Sequence, residues 1–209
     1  MYKATIWNHE INIEAGNTVF SPHSLDNGTA LMLKQITLQP DDKVLDLGCG
    51  TGVVGIAVAK EIGMQNVTLS DIDQAALQCA MNNAGLNGVT GLTILESDGF
   101  SRIIDNDFSL ILSNPPYHTD FAVARQFIEE GKKHLRLGGK MVLVVKRLEW
   151  YKNKMTTVFG GVKVVSADDY HVIISEKRDL QKKSVKVDKP VNKKHQKKQA
   201  RSAKFKKEE

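Results

Sequence analysis

Lys43-Val44-Leu45-Asp46-Leu47-Gly48-Cys49-Gly50-Thr51-Gly52-Val53-Val54-Gly55-Ile56-Ala57-Val58-Ala59-Lys60 decides how this chain folds. It begins with a short apolar run that reads as strand and ends with a longer one that reads as helix. Between them, glycines at alternate positions let the backbone turn tightly and let a ligand come close. The helix start behind them offers N–H groups and a favourable dipole for an anionic group. Gly-rich turns also close helices and hairpins without binding anything. Here Asp46 stands before the glycines, with strand and helix on either side, and the loop reads as a ligand site. Gly50-Thr51-Gly52-Val53-Val54-Gly55 also fits the G-x-G-x-x-G dinucleotide pattern. Asp71 follows at the end of the next strand, where an acid binds ribose hydroxyls. The loop therefore implies a nucleoside-containing cofactor and leaves NAD and S-adenosylmethionine open. Asp46 favours the second, which has an amino-acid tail and no pyrophosphate.

A second stretch chooses between them. Phe108-Ser109-Leu110-Ile111-Leu112-Ser113 is an apolar run that stops at Asn114-Pro115-Pro116-Tyr117. Proline cannot donate to a sheet ladder, so the strand ends there. The rigid turn holds an amide, a backbone carbonyl and an aromatic ring, groups that can grip a planar molecule carrying an –NH2. Further out, strands alternate with helical patterns. Strands are expected near 43–48, 66–71, 92–96, 108–113, 140–146, 162–167 and 171–176. Helices are expected near 26–36, 53–62, 73–85, 119–136 and 148–158, with a short one after Gly99. Gly85 stops the third of these helices, and Gly138-Gly139 makes the turn into strand 140–146. Residues 3–20 read as a hairpin turning at Gly16-Asn17. The fold class is α/β, a doubly wound, mostly parallel sheet with an antiparallel edge supplied by a final hairpin near Asp168-Asp169.

The 209 residues suffice for one substantial domain. Cys49 and Cys79 show no metal-ligand spacing and suggest a reducing compartment; Cys49 reads as a small packing residue rather than a catalytic one. There is no signal pattern and no apolar run of membrane-spanning length, so the expectation is a cytoplasmic protein that does not bind membranes. Charge is uneven. The net charge is +5, yet residues 178–209 hold 13 Lys and Arg against 4 Asp and Glu, leaving 1–177 at −4. The organisation reads as an N-terminal hairpin over 1–20, a catalytic domain over 21–177 and a disordered basic tail over 178–209. The tail serves either solubility or RNA binding.

Asp46 to Gly52, Ser113 to His118, and Phe20-Ser21 with Leu25-Asp26-Asn27-Gly28-Thr29 together resemble the class I S-adenosylmethionine-dependent methyltransferases. Within that class they are similar to the small-domain group that includes bacterial 16S rRNA guanine-N(2) methyltransferases. The resemblance runs from about Thr18 to about Lys177 and implies a Rossmann-like fold. It implies a cofactor site of Phe20, Asp46, Gly48, Cys49, Gly50, Gly52, Asp71, Ile72, Asp98 and Asn114. Ile72 would pack on the adenine, Asp98 would meet its amino group, and Gly28-Thr29 would lie near cofactor or substrate. From the residues alone, Asp26 is a helix cap.

Asn114, Pro115, Pro116 and Tyr117 are the catalytic candidates. An exocyclic amine is a poor nucleophile because its lone pair is delocalised. The Asn114 oxygen and the Pro115 carbonyl can accept its two N–H bonds and stabilise developing charge. Tyr117 would stack on the ring, and His118 is a lesser candidate for proton removal. No metal is implied. Guanine in RNA ranks first as acceptor, adenine in RNA second, and a protein or small-molecule amide third. A catalytically inactive RNA-binding fold stays open as a different class. The expected partner is ribosomal RNA or a ribosomal subunit, aided by the basic tail.

Overall fold

A computed structural model of the chain describes residues 1–15, 24–115 and 121–178. It opens with a hairpin of β1 (Tyr2–Ile6) and β2 (His9–Ile13), paired from Tyr2↔Ile13 to Ile6↔His9. The hairpin turns at Trp7 and Asn8, with Trp7 in the left-handed region at φ 51°. The sequence predicted the turn at Gly16-Asn17, which lies outside the described residues. The reason for the difference is burial: Ala4, Ile6, Ile11 and Ile13 are buried together on one face. That inward set fixes the register, and the register fixes the turn.

There follow α1 (Asn27–Leu33), β3 (Val44–Leu47), α2 (Val53–Ile62), β4 (Val67–Asp71), α3 (Gln74–Leu86), β5 (Thr93–Glu96) and β6 (Phe108–Ser113). The chain continues through α4 (Phe121–His134), β7 (Leu135–Val145), α5 (Leu148–Phe159), β8 (Lys163–Ala167) and β9 (Tyr170–Glu176). The main sheet has the order β5-β4-β3-β6-β7-β9-β8. From β5 to β7 the pairs are parallel, and β9 runs antiparallel to both β7 and β8. This is the expected doubly wound sheet with its antiparallel edge. Chain order reverses between β3 and β6, the switch point beyond whose strand ends such sheets bind ligands.

Both faces of the sheet are covered. Val44, Leu110, Leu112, Val142 and Val144 pack with α2 and the hairpin. Their neighbours Leu45, Ile111, Met141 and Leu143 pack with α4 and α5 on the opposite face. Hence β6 is buried at every position, as a central parallel strand should be.

Three boundaries depart from expectation. Residues after Gly99 form turns rather than a helix, with Ser101 N–H on the Asp98 carbonyl and Ile103 N–H on the Phe100 carbonyl. The Ser97 hydroxyl donates to the Gly99 carbonyl and accepts from Arg102 N–H, which holds the chain in that tighter path. Gly138-Gly139 is not a turn ahead of the strand, because β7 begins at Leu135 and absorbs the pair as a register shift opposite Phe108 and Leu110. Helix α3 passes Gly85 and ends at Leu86, with Asn87 as its C-cap.

Asn87 and Asn83 stand one helical turn apart on α3 and serve β2 as a paired strand would. The Asn87 side chain accepts from Asn12 N–H (2.9 Å) and donates to the Asn12 carbonyl (2.7 Å). Asn83 accepts from Glu14 N–H (2.8 Å) and donates to the carbonyls of Glu14 (3.1 Å) and Thr51 (2.9 Å). One fully buried side chain thus ties the hairpin to the glycine loop. Asn83→Ala should lower stability by about 1–3 kcal/mol, a melting shift of roughly 3–10 °C, because it orphans buried backbone groups. A thermal melt checks this; an unchanged melting temperature would refute the clamp.

Candidate active site

The loop after β3 is shaped by Gly48, Gly50 and Gly52, all left-handed at φ 73°, 55° and 79°. Gly48 and Cys49 both donate their N–H to the Ser70 carbonyl at the end of β4 (2.8 and 2.9 Å). The Asp71 carboxylate accepts Gly50 N–H (2.9 Å) and Asp73 N–H (3.0 Å), which pins the loop to the neighbouring strand end. Asp46 is buried and accepts Gly55 N–H (2.9 Å) inside the first turn of α2. These bonds correct the sequence reading of the loop as a cradle for an anion. Two of the N–H groups a phosphate would need are already held by carboxylates.

Burial pushes the Asp46 carboxyl up to about 7, with Gly55 N–H opposing and Asp71 adding to the rise. Burial also pushes the Cys49 thiol well up, with Asp46 and Asp71 adding. Cys49 is therefore a buried thiol in the loop rather than a nucleophile.

Across the cavity, Asn114 follows the last residue of β6. Its Nδ2 donates to Asp26 Oδ2 (2.8 Å) and to Thr29 Oγ1 (2.9 Å). A carboxylate can only accept, so the NH2 end of the amide must face Asp26 and the carbonyl oxygen must turn away. Asp26 Oδ2 also accepts Thr29 N–H (2.8 Å) as the N-cap of α1. One carboxylate therefore both starts the helix and orients the amide. Helix α1 reaches this position because residue 28 has no side chain. A Cβ there would stand 2.5 Å from Val144 Cγ1 and 2.6 Å from Tyr170 Cδ1.

Between the loop and Asn114 lies a cavity of about 520 Å³, within the usual range for a small-molecule site. Of the residues singled out from sequence, Asp46, Gly48, Cys49, Gly50 and Asp71 line one side of it. Thr29, Ile72, Asp98, Asn114 and Pro115 line it as well, and Ile72 is exposed although apolar. Gly52 stands behind the lining as the N-cap of α2. Phe20, Pro116, Tyr117 and His118 lie outside the described residues. Sequence reasoning missed Tyr2, brought in by the hairpin, and Phe127 and Val123 on α4. The spacing of Val123 and Phe127 is helical and marks a common face, but not which face meets a cavity. Five aspartates (26, 46, 71, 73 and 98) line the cavity, and no Lys, Arg or His does among the described residues. No cluster of metal-binding side chains occurs among the described residues.

The raised Asp46 value has a stability consequence. Between about pH 4 and about 7 the folded chain holds a proton on Asp46 that the unfolded chain releases. Its contribution is full below about pH 4 and is lost as pH rises through about 7. Unfolding in denaturant across that window should show wild-type stability falling relative to Asp46→Asn, by up to about 1.4 kcal/mol per pH unit. Parallel pH profiles for the two proteins would refute the assignment.

Comparison with known proteins agrees with this geometry. The family model Methyltransferase small domain matches residues 10–175. Ribosomal RNA small subunit methyltransferase C of Hamiltonella defensa subsp. Acyrthosiphon pisum (strain 5AT) is 35% identical over 161 residues, 75% of this chain and 47% of that protein. The protein of the same name from Pseudomonas putida (strain GB-1) is 35% identical over 150 residues, 70% of this chain and 45% of that one. The chain thus spans about half the length of the curated relatives it matches. Among solved structures, a 16S rRNA N2 methyltransferase of T. thermophilus in complex with AdoMet and guanosine superposes with a TM-score of 0.74 at 27% identity, covering 85% of this chain and 50% of that one. A methyltransferase from Pyrococcus furiosus superposes at 0.70 with 21% identity over 81% and 90% of the two chains, a likeness of fold. Sheet order, glycine loop and strand-end turn all fall within the matched span, and the chain belongs to the methyltransferase small domain family.

Proposed function

We propose that this protein transfers a methyl group from S-adenosylmethionine to the exocyclic amine of guanine in small-subunit ribosomal RNA. The observation that carries the proposal is the Asn114 amide, locked by Asp26 and Thr29 at the edge of an aspartate-lined cavity. The residues present fit this donor better than a dinucleotide. The donor is cationic at its sulfonium and ammonium groups, and the cavity offers five aspartates and no basic side chain among the described residues. A pyrophosphate would meet Asp71 and Asp46 where it needs N–H donors. Asp46 and the glycine loop would hold the amino-acid end, with Asp71, Ile72 and Asp98 around the adenosine.

The bound donor supplies an electrophilic methyl group. The chain supplies position and charge. The Asn114 oxygen and the Pro115 carbonyl accept N–H bonds from the target amine and stabilise the positive charge it gains. Because Asp26 and Thr29 hold the amide, those acceptors need no reorganisation when the amine arrives. Tyr117 stacks on the base and keeps it in register. We assign catalysis to residues 21–177 and, by its charge, non-specific RNA affinity to 178–209. A ribosomal acceptor places this work in the cytoplasm. Among the described residues no helix is long and apolar enough to cross a membrane.

Asn114→Ala should reduce labelled methyl transfer to small-subunit ribosomal RNA by at least about 100-fold. Donor affinity measured by calorimetry should stay within about 3-fold of wild type, since Asn114 is only one of many residues lining the cavity. Transfer at near wild-type rate would refute the role of Asn114.

A further inference from the structure

We propose that the Tyr2 hydroxyl binds the α-carboxylate of S-adenosylmethionine and so selects the intact donor. This deepens the proposed function and rests on its reading of the cavity as the donor site. The amino-acid end of the donor carries an ammonium and a carboxylate. Aspartates suit the ammonium, whereas the carboxylate needs hydrogen-bond donors. Five aspartates line the cavity and no Lys, Arg or His does among the described residues. An anion placed there has to be held by neutral groups.

The glycine loop has few N–H groups left to give. Gly48 and Cys49 donate to the Ser70 carbonyl, Gly50 to Asp71 and Gly52 to the Cys49 carbonyl. Behind them, Gly55 N–H is held by Asp46. Most polar side chains of the lining are engaged in the same way. Asn114 Nδ2 serves Asp26 and the Thr29 hydroxyl, and the Ser97 hydroxyl donates to the Gly99 carbonyl. Tyr2 and Thr51 line the cavity with hydroxyls that make no hydrogen bond among the described residues.

Packing brings these two hydroxyls to the same end of the cavity. Tyr2 stands on the inward face of β1 with Ala4 and Ile6, by strand alternation. Ala4 and Ile6 are buried in the core, while Tyr2 at the end of that row reaches the cavity. Tyr2 pairs with Ile13, the residue before Glu14. Asn83 holds Glu14 and also donates to the Thr51 carbonyl, and Cys79 Sγ donates to the Glu14 carbonyl (2.9 Å). One side chain on α3 therefore sets the strand beside Tyr2 against the loop that carries Thr51. That loop is where the amino-acid end of the donor is assigned. Burial raises the Tyr2 phenol above its usual value, with Cys79 and Asp26 adding to the rise. It stays protonated at neutral pH and has a proton to donate. The half-buried ring packs against the core and holds that hydroxyl in place.

The test is the full chain carrying Tyr2→Phe, which removes the hydroxyl and keeps the ring. Calorimetry should show affinity for S-adenosylmethionine weakened about 10-fold or more, the effect of one hydrogen bond to a charged group. Decarboxylated S-adenosylmethionine, which lacks the carboxylate, should bind wild type and variant within about 2-fold of each other. In methyl transfer, KM for the donor should rise while kcat at saturating donor stays within about 2-fold. Unchanged affinity for S-adenosylmethionine would overturn the assignment. Equal losses for the two ligands would overturn it too, since the ring would then act through packing. A fall in kcat without a rise in KM would also overturn it, and would place Tyr2 with Asp26 and Asn114 instead. Wild type that binds neither ligand would overturn the reading of the cavity as the donor site, and this inference with it.

Discussion

The hydrogen bonds from the Asn114 amide to Asp26 and Thr29 are the constraint on which the site depends. They join two segments far apart in sequence and decide which end of the amide faces the cavity. Their geometry rests on α1 lying close to the sheet, and that closeness rests on Gly28 against Val144 and Tyr170. Strands β7 and β9 are thus part of the site although neither supplies a residue lining the cavity. A hydroxyl and a carboxylate hold the amide rigidly at little cost, since Asp26 is already spent on starting the helix.

Carboxylates organise the other half in the same economical way. Asp71 and Asp46 each take a backbone N–H of the glycine loop or the helix behind it. The loop is held in shape from within, and its negative charge stays in the cavity. Buried against α2, Asp46 pays for its place with a raised proton affinity. A cationic ligand beside it relieves that cost, which is why the charge pattern fits a sulfonium donor and not a pyrophosphate. The clamp of Asn83 and Asn87 extends this order outward, fixing the hairpin that brings Tyr2 to the cavity.

Much of this was legible in the sequence where local chemistry sets the boundary. Helix 53–62 and strand 108–113 fall where they were expected, because glycines start one and prolines stop the other. Asp46 and Asp71 were legible from the glycine motif and its spacing, and Asp98 through the family resemblance; all three line the cavity. What escaped depends on contacts between distant segments. The hairpin turn was misplaced because Gly16-Asn17 is the stronger local signal, while the burial of Ala4, Ile6, Ile11 and Ile13 is a tertiary fact. Nothing local marks Tyr2 as a cavity residue, or Asn83 and Asn87 as stand-ins for a strand. Asp26 was legible as a cap; its second role needs a partner at Asn114 that only the folded chain supplies.

The most direct measurement is nucleoside mass spectrometry of small-subunit ribosomal RNA incubated with the full chain and isotope-labelled S-adenosylmethionine. The label should appear in N2-methylguanosine. Label in a methylated adenosine, or RNA left unlabelled by a protein that binds the donor, would contradict the proposed activity.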